Sequence, residues 1–142
     1  MKTALVTWQG QMTFNAEMDG QHVTMSTVGE SGDNRGPSPS SLLLAALGGC
    51  TAMDVVLVLQ KKRQPLTGLV VRVEGEQADE DPHRYTRVTV TYEVHGQGVD
   101  RAAVERAVAL SDEKYCSVSA TLKQPTEVCN RVVLVESTAA ED

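Results

Sequence analysis

Cysteine is scarce in this chain of 142 residues: there are three, an odd number, and no two stand in a CxxC spacing. A disulfide framework is thereby excluded, and a domain of this length can do without one, since it buries roughly 68–70% of the surface its unfolded chain exposes. Basic residues are in the minority. Thirteen Lys and Arg against 19 Asp and Glu leave a net charge of -6 and a pI near 5.0, so no nucleic-acid partner is expected. The three histidines, His22, His83 and His95, share no ligand spacing with the cysteines, and no metal site is expected. There is no G-x-S-x-G elbow for a serine hydrolase. Internal repeats and low-complexity tracts are lacking too.

The opening MKTALVTWQGQ has too few consecutive apolar residues for the roughly 7–15-residue core of a secretory signal, which predicts a cytoplasmic protein. In that compartment Cys50, Cys116 and Cys129 stay reduced, and a disulfide would be transient, either catalytic or redox-sensing.

One long apolar run is present: SPSSLLLAALGGCTAMDVVLVLQKKR, Ser38 to Arg63. Leu42 to Leu59 approaches the length of about 18 residues at which a membrane span becomes a candidate. Asp54 inside it, Ser40 and Ser41 at its start and strand patterns on both sides argue against a span, and no membrane partner is expected. The run reads instead as a helix capped by Ser40 or Ser41, with Lys61, Lys62 and Arg63 suiting the negative end of its dipole and Pro65 stopping it.

Ala4–Trp8, Gln11–Asn15 and His22–Val28, punctuated by Gly10 and Asp19-Gly20, predict a three-stranded antiparallel meander. GESGDNRGPSP, Gly29 to Pro39, reads as a polar loop. After the helix, Gly68–Glu76 and Arg87–His95 predict a strand pair, and Asp100 caps an amphipathic helix bearing Ala103, Val104, Ala107, Val108 and Leu110. A further helical turn begins near Cys116, Thr126–Val135 reads as a last strand, and the terminal STAAED reads as a frayed tail. The fold class is α+β, one domain over 1–142: meander 1–28, loop 29–39, central helix 40–63, second sheet and helices 66–135.

Leu42, Leu43, Leu44, Ala45, Ala46 and Leu47 cover every face of the central helix, and such a helix must be surrounded. Six short strands cover one side of a rod of roughly 36 Å more easily than all of it. A homodimer follows, the second subunit supplying the remaining wall.

Gly48 and Gly49 cost the helix about 1 kcal/mol each relative to alanine, and in return let a backbone or a bound molecule approach the thiol of Cys50. Cys50 can equally be a small core residue, since free cysteine is among the most buried types. Cys116, following Lys114 among Ser117 and Ser119, sits where a nearby cation can lower a thiol pKa; packing alone would also account for it. Cys129 reads as structural.

SPSSLLLAALGGCTAMDVV together with YCSVSATL resembles the OsmC/Ohr family, the osmotically inducible and organic hydroperoxide resistance proteins, and is closest to its OsmC-like branch. The resemblance extends over nearly the whole chain and implies an OsmC-like fold, antiparallel sheets wrapped around a long central helix in an intertwined homodimer. It implies a thiol-dependent peroxidase acting on organic hydroperoxides, with Cys50 peroxidatic, Cys116 resolving, an external dithiol or lipoylated protein as reductant, and no bound cofactor. Arg35, in GDNRGPSP, is the candidate cation for the thiolate; a solvated loop charge is the other reading. The well-characterised branch places a glutamate just after the proline that opens the helix, whereas this chain has Ser40 and Ser41. That departure keeps a second reading open, a non-enzymatic dimer of the same fold that binds an apolar ligand or senses oxidants.

Overall fold

A computed structural model describes residues 1–136. β1 (Leu5–Trp8), β2 (Thr13–Met18) and β3 (Gln21–Ser26) form an antiparallel meander in that order. α1 (Pro39–Lys61) is followed by β4 (Gly68–Gln77) and β5 (Tyr85–His95), a second antiparallel sheet. α2 (Arg101–Leu110) runs into a π-helical turn (Ser111–Tyr115), and α3 (Ser117–Lys123) is the last regular element among the described residues.

β2 starts later than its composition predicts because Gly10 (φ 102) and Gln11 (φ 49) form the preceding turn. The helix start also differs. Ser38, one turn earlier than Ser41, is the N-cap and accepts from the Ser41 N–H, which puts Pro39 at the first helical positions where its missing N–H costs nothing. The loop Gly29 to Pro39 folds back on the meander. Asp33 accepts from Met12 N and Thr13 Oγ1 at 2.7 and 2.9 Å, and Ser26 Oγ accepts from Arg35 N and Gly36 N at 2.9 and 3.2 Å.

The expected last strand is corrected. Residues 124–136 carry no regular structure, and Val128, Val132, Val133, Leu134 and Val135 are exposed, because among the described residues no strand pairs with them. Cys129, read as structural, lies exposed on that segment. STAAED, Ser137 to Asp142, lies outside the described residues.

α1 is long and apolar enough to cross a membrane, yet here it is the spine of the fold. Its buried residues, Leu47, Gly48, Thr51, Val55 and Leu59, form one stripe at helical spacing, turned toward β4, α2 and α3. Val55 and Leu59 pack with Ala103 and Ala107 of α2, flanked by Leu69 and Tyr92 of the second sheet. At Gly48 the sheet comes so close that a Cβ would lie 2.9 Å from Val73 Cγ2, which accounts for that glycine. Beyond the helix itself, none of the described residues comes within 4 Å of a Cβ at Gly49.

The opposite face of α1 is largely bare, with half-buried Cys50 at its border toward α3. Leu43, Ala46, Cys50, Met53 and Leu57 recur at alternating spacings of three and four, the seam spacing of packed helices. Leu43 is 39% exposed, Met53 75% and Leu57 52%. The meander, with Leu5, Val6 and Trp8 exposed on β1, has no packing against the helices comparable to that of the second sheet.

Candidate functional site

The two cysteines that the sequence singles out meet between α1 and the start of α3. Cys50 follows the two glycines, and Asp54 stands one turn further along the same helix face. Cys116 arrives because the π-helical turn inserts an extra residue at the end of α2: its N–H donates to Ser111 O at 2.8 Å, and the chain then restarts as α3 with Cys116 as N-cap. The Ser119 N–H donates to Cys116 Sγ at 3.3 Å. As a result the two sulfurs and a carboxylate oxygen of Asp54 all lie within 4.8 Å of one another. Both thiols are free; Cys116 is buried and Cys50 half-buried.

Their acidities diverge. Burial is the largest influence on Cys50 and pushes its thiol up, as does the Asp54 carboxylate. Hydrogen bonds from the Cys116 side chain, the Val118 backbone and the Ser117 side chain together outweigh burial, so the thiol lies below its ordinary value. Cys116 is displaced upward by burial first and then by the same bond to Cys50, which holds its proton in place. Of the two, Cys50 is therefore the thiol that gives up its proton more readily, and Cys116 the one that keeps it. Cys116→Ala removes that donor, and the pH at which Cys50 becomes reactive toward iodoacetamide should move up.

Behind the thiols runs a chain of hydroxyls. Tyr92 Oη lies 2.7 Å from Thr51 Oγ1, Thr51 Oγ1 lies 2.8 Å from Ser111 Oγ, and Ser111 Oγ lies 2.9 Å from Asp54 Oδ2. A carboxylate only accepts, so the single proton of Ser111 is committed to Asp54. Ser111 must then accept from Thr51, and Thr51 from Tyr92, so every O–H points toward Asp54. Ser111 is fully buried. Ser111→Ala leaves Asp54 without its donor and Thr51 without its acceptor, and should cost about 1–3 kcal/mol, read as a lower denaturant midpoint at unchanged m.

Asp112 ties the π turn to α3, accepting from Lys123 Nζ at 2.6 Å and Ser119 Oγ at 3.1 Å. The bond from Lys123 is the main reason its carboxyl lies below the usual range. Arg35 is not brought to the thiols within the chain. Its side chain is exposed on the loop, and it is not among the groups acting on Cys50. Glu113, on the π turn, is exposed as well. In the sequence Asp54 reads only as a charge inside an apolar run, and its spacing of four from Cys50 is the available signal. Ser111, Thr51 and Tyr92 gave none.

A cavity of about 290 Å³ opens beside the site, walled by Leu43, Leu44 and Leu47 of α1, Val88 and Val90 of β5, and Leu122 of α3. Thr51, Tyr92 and Ser119, neighbours of the thiols, line it too, whereas Cys50 does not.

The family model described as OsmC-like protein matches residues 32–129, a span that holds most of the loop, α1 and all three cysteines. The chain belongs to the OsmC-like family. It is 39% identical over 132 residues to Protein YhfA of Escherichia coli strain K12, covering 93% of this chain and 97% of that protein. A hypothetical protein from Aquifex aeolicus VF5 superposes with a TM-score of 0.75 at 33% identity, covering 87% of each chain. An organic hydroperoxide resistance protein, OsmC, from Legionella pneumophila superposes at 0.62 with 17% identity, covering 87% of this chain and 89% of that one, and shares the fold. In this OsmC-like chain no acid follows Pro39 until Asp54, and Asp54 is the acid beside the thiols.

Proposed function

We propose that this OsmC-like protein is a thiol peroxidase that reduces organic hydroperoxides to alcohols with Cys50 as attacking residue and Cys116 as resolving residue. The observation that carries the reading is the meeting of two free thiols displaced in opposite directions, one toward thiolate and one toward thiol. The Cys50 thiolate attacks the distal peroxide oxygen and the O–O bond breaks. The alkoxide leaves and takes a proton to become the alcohol, while Cys50 becomes a sulfenic acid. Cys116 then displaces hydroxide from that sulfur, its proton leaving with the hydroxide as water, and a disulfide forms. An external dithiol, free or lipoyl-borne, returns both cysteines to thiols.

The sulfurs must close from within 4.8 Å to the roughly 2.05 Å of a disulfide, a movement for side-chain rotation. The cavity beside Thr51 and Ser119, apolar along Leu43, Leu44, Leu47, Val88 and Val90 and edged by Arg87, Asp112 and Lys123, suits the organic part of a hydroperoxide on its apolar side. The reading includes a homodimer in the cytoplasm. Cys50 sits on the seam of bare apolar residues along α1, so a second subunit laid there completes the site. Arg35 keeps the role of thiolate partner only if it reaches a thiol across that interface; Arg35→Ala should then raise the Cys50 pKa.

A second reading, a dimer that senses oxidants or binds an apolar ligand without turnover, is favoured by Ser40 and Ser41 where the family's well-characterised branch has glutamate. Consumption of cumene hydroperoxide and of hydrogen peroxide by the reduced protein with a dithiol decides between them. Turnover of the organic peroxide in preference to hydrogen peroxide is expected. Stoichiometric oxidation that stops after one equivalent would establish the sensor.

A further inference from the structure

We propose that Cys50, Cys116 and Asp54, when reduced, form a binding site for a thiophilic divalent cation, Zn²⁺ foremost. The histidine and cysteine spacings predict no metal centre, but the fold gathers a donor set those spacings do not show. Two sulfurs and one carboxylate oxygen lie mutually within 4.8 Å. Tetrahedral zinc with Zn–S bonds of about 2.3 Å holds its sulfurs about 3.8 Å apart, so at most about 1 Å remains to be closed. Cys50 and Asp54 stand at i and i+4 of α1, a spacing at which two helical side chains share one metal. Cys116 brings the third ligand from another element, on a backbone fixed by its bond to Ser111 O.

The outer shell a metal site needs is also in place. Ser111 Oγ donates to Asp54 Oδ2 at 2.9 Å and so orients the carboxylate, and the Ser119 N–H donates to Cys116 Sγ at 3.3 Å. Ser111 itself is fixed by Thr51 and Tyr92. Three anionic donors at this separation would repel one another, and a cation among them turns that repulsion into attraction. Uptake of Zn²⁺ displaces both thiol protons, leaving the two thiolates and the carboxylate on the metal and a fourth position for water. The ion occupies the sulfur lone pairs that would otherwise react, so metal and oxidant exclude each other. Disulfide formation releases the ion. The proposal does not depend on peroxidase turnover.

Titration of the reduced full-length protein with Co²⁺ tests it. One ion per chain should enter, with a near-ultraviolet sulfur-to-cobalt band, the intense visible bands of a tetrahedral centre, and release of about two protons. Zn²⁺ should displace it. Cys50→Ser, Cys116→Ser and Asp54→Asn, each with unchanged circular dichroism, should weaken uptake at least ten-fold, and the diamide-oxidised protein should take up none. A pale octahedral spectrum, no uptake by reduced wild type, or Asp54→Asn with unchanged affinity and spectrum would overturn the proposal. If Asp54→Asn does not fold, the wild-type spectrum and the two serine variants decide.

Discussion

Cys50→Ser should abolish the consumption of organic hydroperoxide, by about 10³-fold or more, because loss of a nucleophile removes the reaction path rather than weakening it. Cys116→Ser should behave differently. Its hydroxyl still donates toward Cys50, so the first turnover, one equivalent of peroxide per chain, should survive at a comparable rate. The sulfenic acid formed then has no neighbour to condense with and should be trapped by a dimedone probe, which wild type should not show under the same conditions. Cys129→Ser should leave both steps intact, since that thiol is exposed on the segment after α3. The asymmetry between the two variants is what the opposite displacements of the thiols predict. Equal loss of the first turnover in both would show that the cysteines act as a unit, and equal activity in all variants would sink the mechanism.

Much of this was legible before any coordinates. Gly10 and Asp19-Gly20 mark the meander turns because those positions need positive φ, as Gly10 (φ 102), Asp19 (φ 53) and Gly20 (φ 73) show. Asp100 as the cap of α2 followed from side-chain chemistry, and its carboxylate does accept from Ala102 N at 3.0 Å. The segment 124–136 is the informative failure. A run of β-branched and other apolar residues asks for a sheet, but it does not name the strand that pairs with it, and among the described residues no strand does. The site divides the same way. Cys50 and Asp54 share a helix, so their meeting is arithmetic, whereas Ser111 reaches Asp54 through a π turn and Tyr92 reaches Thr51 through the placement of β5 against α1. Neither has a local signature.

The strongest remaining expectation concerns the bare face of α1. The chain exposes 11384 Å², whereas a compact monomer of 15.3 kDa exposes about 7,100 Å². Part of the excess lies in the exposed residues 124–136; the rest includes Leu5, Val6, Trp8, Met53 and Leu57, more apolar surface than a monomer ordinarily shows to water. Light scattering should therefore give about 30 kDa, twice the 15.3 kDa chain. Leu57→Asp should break that assembly. Burying a carboxylate costs several kcal/mol, and two-fold symmetry imposes the cost twice, so dimer affinity should fall by about 10⁴-fold or more at 1.4 kcal/mol per decade. Leu57→Met, which keeps the volume and polarity, should remain dimeric. Because Cys50 lies on the same seam, the Asp variant should also lose peroxide turnover, although no atom of the thiol pair has changed. A wild-type monomer, or an Asp variant that stays dimeric and fully active, would place the subunit contact elsewhere and leave Cys50 to work with its own chain alone.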